Sequence, residues 1–138
     1  MDHIIHQFFE VSSQLRHALR RGVKEPGAPL SIIEMRGLEF LAREENPRQK
    51  ELAAYWGITN ASASAFVSKM EGLGFIKRRP DPNDKRAAIL EVTPVGRTAI
   101  ARTGKLASQV CRPLFEKLSE QELEQLGHIL KKIHPGQQ

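Results

Sequence analysis

The sequence predicts a mainly α fold with a small β-hairpin wing, a winged helix-turn-helix with N- and C-terminal dimerisation helices. Three observations predict it. Apolar residues recur on a helical period through most of the chain, two short helical segments meet at a tight turn around Gly57, and two strand-like stretches enclose a turn rich in proline and Asx residues. The 138 residues fit a single domain. A chain of 15.5 kDa is expected to expose roughly 7,200 Å² when folded against about 22,500 Å² unfolded, burying some two-thirds.

The first helix, from Asp2 to Gly22, sets Ile4, Ile5, Phe8, Phe9, Ser12, Leu15, Ala18 and Leu19 on one period, and the run Glu25 to Pro29 stops it. The second starts at a capping box, Ser31 with Glu34, stapled by Leu30 and Met35, and continues through Leu38, Phe40 and Leu41 to about Glu44. Asn46-Pro47 reads as a cap followed by proline at the first position of a third helix. Leu52, Ala53 and Trp56 form its buried side, and Gly57 ends it in the left-handed conformation. A fourth helix follows from Thr59 to Met70, apolar at Ala63, Phe66, Val67 and Met70, with Gly72 and Gly74 punctuating its end.

Residues 75–79 and 87–92 read as short strands, and residues 80–86, Pro-Asp-Pro-Asn-Asp-Lys-Arg, as the turn between them. Thr93-Pro94 caps a long helix bearing Ile100, Leu106, Val110 and Leu114, which Pro113 should kink or interrupt. Ser119 and Glu122 form a second capping box, stapled by Leu118 and Leu123. Leu126, Leu130 and Ile133 continue the last stripe before Pro135-Gly136. Residues 30–97 thus form a winged lobe, and residues 1–22 and 98–138 form helices outside it within one domain, 1–138. The apolar faces at 4–19 and 123–133 would lie bare on a monomer, so a two-fold homodimer is expected to bury Ile4, Ile5, Phe8, Leu15, Leu126, Leu130 and Ile133.

The second helix of such a pair has the width of the major groove of double-stranded DNA. Its outward residues would be Thr59, Asn60, Ser62, Ser64, Ser68 and Lys69, with Ala61 and Ala65 small enough for close approach. Asparagine can read adenine in a bidentate manner, and hydroxyls can bond bases or phosphates. No arginine lies in the first two turns, so DNA shape is expected to carry part of any specificity. The hairpin holds five cations within ten residues, Lys77, Arg78, Arg79, Lys85 and Arg86, able to lie along phosphates or enter a narrow minor groove. Asp84, two residues before Arg86, is close enough to hold that side chain. Arg48, with Gln49 in the first turn of the third helix, is a candidate phosphate contact.

These segments carry a resemblance. ELAAYWGIT at 51–59 and FVSKMEGLGFIKRRPDPNDKRAAILEVTPVG at 66–96 resemble the MarR family of bacterial transcriptional regulators, most specifically at Asp84, Arg86, Leu90, Thr93 and Gly96. The resemblance implies a homodimer with interlocked first and last helices, and recognition helices in successive major grooves of a pseudo-palindromic operator. It further implies Arg86, braced by Asp84, in the minor groove; action as a repressor; and a small-molecule effector where the dimerisation helices meet the DNA-binding lobe. Ala61 and Ala65 depart from the bulkier polar residues common in the family.

Charge and composition bound the alternatives. The net charge is +5, with +3 of it in residues 59–97, where seven Lys/Arg face four Asp/Glu. No stretch approaches 18 consecutive apolar residues, so no membrane partner is expected. No signal sequence is read near the amino end, and the single cysteine, Cys111, fits a reducing, cytoplasmic setting. Glycine-rich phosphate loops and nucleophile elbows are missing, so neither an enzyme nor a cofactor is expected. His3 and His6 on one helix suggest a metal-responsive regulator and Cys111 a redox-responsive one. A winged-helix module holding an acidic protein is the remaining alternative.

Overall fold

The computed structural model describes residues 1–22 and 29–134. The expected stops at Glu25 to Ala28 and at Pro135-Gly136 lie outside the described residues. The order is α1 (Asp2–Gly22), α2 (Ile32–Arg43), α3 (Gln49–Trp56), α4 (Asn60–Gly72), β1 (Ile76–Asp81), β2 (Asp84–Val92), α5 (Pro94–Phe115) and α6 (Glu120–Ile133). The fold is mainly helical, with a small antiparallel hairpin as its wing.

Local chemistry sets most of the helix starts. Both expected capping boxes form: Ser31 accepts the Glu34 N–H at 3.2 Å while Glu34 accepts the Ser31 N–H, and Ser119 and Glu122 repeat the exchange. Thr59 and Thr93 cap α4 and α5 through their hydroxyls. Gly57 ends α3 at φ 63°, the left-handed conformation that lets the chain turn straight into α4.

Three expectations are corrected. The third helix starts at Gln49, not at Asn46-Pro47. The Pro47 carbonyl is taken by the Leu90 N–H at 2.8 Å, and Asn46 sits at φ 49°, so neither is helical. The wing turn is two residues, Pro82-Asn83, where seven were expected, because β1 runs through Pro80 to Asp81 and β2 begins at Asp84. A two-stranded ribbon leaves its outer edges unpaired, where proline's missing N–H costs little, and the register shifts directly after Pro80. Pro113 does not interrupt α5, which continues to Phe115. The proline removes one helix hydrogen bond, its own, and the other bonds of a 22-residue helix carry the chain past it.

The core lies in the winged lobe. Leu38, Leu52, Val67, Met70 and Leu90 are almost wholly buried, joined by Phe40, Leu41, Ile76, Val92 and Ala99. Trp56 meets Phe66 edge-on at 4.8 Å, and Gly37 gives the indole room, since a Cβ there would stand 2.4 Å from the ring. α5 buries Gly96, Ala99 and Thr103 against the lobe, whereas Leu106 and Val110 are half-buried and Leu114 is exposed. α1 packs on α5, and its Ser12, Leu15, Ala18 and Leu19 are only half-buried. Neither α1 nor α6 has a buried residue.

The accessible surface is consequently 10269 Å², about 3,000 Å² above the roughly 7,200 Å² of a compact protein of this mass. The chain buries only about half of its unfolded surface, not two-thirds. Large apolar side chains stand bare on the two outer helices: Ile4 (62%), Phe8 (52%) and Phe9 (62%) on α1, and Ile129, Leu130 and Ile133 (64%) on α6. Among the described residues no helix is long and apolar enough to cross a membrane.

Candidate nucleic-acid interface

α4 presents a low outer face. Asn60, Ala61, Ser62, Ala65, Ser68 and Lys69 are exposed, while Ala63, Val67 and Met70 anchor the opposite side. Ser64 is half-buried, turned between the two. The Thr59 hydroxyl is engaged in the fold: it accepts the Ser62 N–H at 3.1 Å and donates to Ser62 Oγ at 3.0 Å.

Gln49, beside the candidate phosphate contact Arg48, holds Asn60. Its Nε2 donates to the Asn60 backbone carbonyl at 3.2 Å and to Asn60 Oδ1 at 2.9 Å. The backbone carbonyl can only accept, which fixes Gln49 as the donor and turns Oδ1 toward it. Asn60 therefore offers its Nδ2 hydrogens outward. Bidentate adenine reading needs one donor and one acceptor from the same amide, so an adenine amino group would share Oδ1 with Gln49, on its second lone pair. Nothing in either residue's local sequence signals this pairing, because the partners lie on different helices.

Lys69 reaches back across the lobe to Glu34, 2.9 Å away, tying α4 to the start of α2. Burial of the Glu34 carboxyl acts to raise its pKa, but the Lys69 ammonium and the bonds with Ser31 outweigh it and leave the carboxyl below its ordinary value. The carboxylate thus stays charged at neutral pH and keeps Lys69 engaged.

The wing sorts its five cations into two groups. At its base Lys77 pairs with Glu91 at 3.4 Å and Arg78 with Glu71 at 3.2 Å. Arg79 pairs with Glu91 at 3.6 Å and donates to Asn46 Oδ1 at 3.0 Å. At its tip Lys85 and Arg86 are exposed, and among the described residues neither has an ion-pair partner. Asp84 accepts the backbone N–H of Arg86 at 2.9 Å, so its carboxylate shapes the turn and does not grip the guanidinium. Arg48 engages Asp81 at the end of β1.

The metal and redox alternatives gain little from the geometry. Among the described residues no group of three or more His, Cys, Asp or Glu is placed to hold a metal ion, and His6 lies 3.8 Å from Glu10 along exposed α1. Burial raises the Cys111 thiol above its ordinary pKa, which lowers the thiolate fraction at neutral pH. Alkylation of Cys111 by iodoacetamide at pH 7.5 is expected to run no faster than that of an unperturbed thiol. Faster alkylation would bring the redox-responsive reading back.

A short helix pair around a left-handed glycine, a second helix with a small polar face and a hairpin with a cationic tip together define a winged helix-turn-helix of the DNA-binding class. Residues 30–88, which cover the helix pair and most of the wing, match the model of the MarR family. The winged lobe thus carries both the fold and the family signature of a MarR-type DNA-binding regulator. Comparison with curated proteins finds no match.

Solved structures share the fold along nearly the whole chain. Wild-type MarR from E. coli in its apo form is 20% identical, with a TM-score of 0.76 over 98% of this chain and 97% of that one. Sco3205, a MarR family transcriptional regulator from Streptomyces coelicolor in complex with DNA, is 25% identical, with a TM-score of 0.72 over 99% of this chain and 87% of that one. The S. aureus MepR–DNA complex is 19% identical, with a TM-score of 0.67 over 93% of each chain.

Proposed function

We propose that the protein is a homodimeric repressor that binds a pseudo-palindromic operator through α4 and the wing. The observation that carries this reading is the division of charge in the wing: the base cations are neutralised by Glu71 and Glu91, while Lys85 and Arg86 at the tip are left to meet an anion. A hairpin serving only stability needs no such tip. Beside it, the small face of α4 allows the helix backbone close to base edges, with Asn60 and Ser68 as polar contacts and Thr59 and Ser62 fixing the first turn. Sco3205 and MepR, two of the structurally similar proteins, are both solved with DNA.

The dimer rests on the bare faces of α1 and α6. About 3,000 Å² of excess surface on one chain is about 6,000 Å² over two, enough to supply even a large obligate homodimer interface of about 5,000 Å². Two-fold pairing would place the recognition helices about 34 Å apart, one turn of DNA. Release by a small ligand belongs to the same reading, since a ligand preferring one separation of the two lobes shifts the pair away from DNA.

Arg86→Ala is expected to weaken operator binding by about 1–3 kcal/mol, roughly 5- to 150-fold. Lys85→Ala should lower the slope of log K against log salt by about 0.9, as one phosphate contact is lost. Lys77→Ala, whose charge is already answered by Glu91, should change little. Mobility shifts at two salt concentrations measure all three, and an unchanged Arg86→Ala would remove the wing from the interface.

A further inference from the structure

α3 opens on a residue unsuited to its place. Helix N-caps favour Ser, Thr, Asp or Asn, whose side-chain oxygen accepts a helix N–H; arginine has donors alone. Arg48 makes no side-chain cap bond; only its backbone takes part, the N–H donating to Glu51 Oε2 at 3.0 Å and the carbonyl accepting the Glu51 N–H at 3.1 Å. Its guanidinium leaves the helix and pairs with Asp81, whose side chain is 2% exposed. Asp81 Oδ1 accepts the Asn83 N–H at 2.9 Å and so forms the wing's turn. Oδ2 receives no aligned hydrogen bond, which leaves the Arg48 charge as its answer among the described residues.

The two residues before Arg48 hold the same hairpin at other points. Asn46 Oδ1 accepts from Arg79 on β1 at 3.0 Å, and the Pro47 carbonyl accepts from Leu90 on β2 at 2.8 Å. Asn46 adopts φ 49°, an uncommon conformation for a side-chain-bearing residue though one asparagine tolerates. Three consecutive residues thus contact the wing at its middle, its second strand and its turn. A two-stranded hairpin is marginal in isolation, and a buried aspartate without its countercharge is strongly unfavourable.

We propose that Asn46-Pro47-Arg48 is a clamp that sets the wing's position against the helix-turn-helix, with Arg48–Asp81 as its closing pair. Arg48 then acts on DNA by positioning Lys85 and Arg86, not by touching phosphate. This rests on the DNA-binding reading above.

The test uses the full-length protein with the paired variant R48A/D81N, which removes both charges and so leaves no buried ion to unfold the lobe. D81N alone, which keeps an oxygen for Asn83, is the milder second variant. With operator DNA, both are expected to bind about tenfold more weakly than wild type, with the salt slope unchanged. R86A should cost less in the R48A/D81N background than in wild type, although Arg86 touches neither residue. In the free protein, the Leu90 amide should exchange its hydrogen faster in both variants. A salt slope lower by about 0.9 in R48A/D81N but not in D81N would make Arg48 a phosphate contact and overturn the clamp. Wild-type affinity in R48A/D81N, or strict additivity with R86A, would also overturn it. Failure of the wild type to bind any DNA would instead defeat the DNA-binding reading, and unchanged Leu90 exchange would defeat the clamp independently of DNA.

Discussion

Phe8→Asp combined with Leu130→Asp is expected to convert the protein to a monomer and to lower its affinity for an inverted-repeat site by two orders of magnitude or more. Both side chains are about half exposed on the single chain, 52% and 44%, on helices with no buried residue. Fully burying a Phe or Leu contributes about 1.5–3 kcal/mol, and two-fold symmetry makes each substitution count twice in the dimer. A carboxylate placed there must be desolvated for association, which adds to the loss. The winged lobe should stay folded, because its core of Leu38, Leu52, Val67, Met70 and Leu90 does not involve α1 or α6. Tethering two half-site contacts commonly raises avidity by 10²–10⁴, and the monomer forfeits that gain. Sedimentation equilibrium with a mobility shift checks both parts. A variant that stays dimeric, or a monomer that binds as wild type does, would contradict the account.

Gly96→Ala is expected to lower stability by about 1–3 kcal/mol. A Cβ at Gly96 would stand 2.4 Å from the Phe75 carbonyl oxygen and 2.9 Å from Val92 Cγ1. The first neighbour is backbone, already accepting the Thr93 N–H at 3.0 Å. It also follows a turn fixed by the Thr93 hydroxyl donating to Gly74 O at 2.6 Å. To admit the methyl, α5 must move off the start of β1. Overpacking of this kind costs about 1–3 kcal/mol, the strained hydrogen bond about 1 kcal/mol, and alanine's helix propensity returns about 1 kcal/mol. Urea unfolding at fixed protein concentration measures the net. A variant as stable as wild type would mean that the wing root is more compliant than its contacts imply.

Much of this architecture is legible in the residues. The capping boxes at Ser31/Glu34 and Ser119/Glu122, the left-handed stop at Gly57 and the apolar faces of α1 and α6 follow from local rules, and each forms as read. The misread points share one cause. Asn46-Pro47 has the local signature of a helix start, but a carbonyl that Leu90 claims from across the fold cannot also begin a helix. Pro80 reads as turn until the two-stranded ribbon is known to have free edges.

The site divides in the same way. Lys85 and Arg86 stand exposed, as the basic hairpin suggested. Arg48, Arg79 and Lys69 look equivalent to them in sequence, yet each is engaged by a partner distant in the chain: Asp81, Glu91 with Asn46, and Glu34. Composition counts cations, but only the fold decides which of them are already answered. The pairing of Gln49 with Asn60 is hidden for the same reason, since it depends on where α4 places Asn60.

Whether a symmetric dimer reads DNA with α4 and the wing is decided by unbiased selection of DNA from a random pool by the purified wild-type protein. The expected result is enrichment of an inverted repeat with half-sites about one helical turn apart, bound by two chains per site and weakened steeply by salt. Selection that enriches no DNA at low salt, or a single unrepeated half-site bound by one chain, would contradict it.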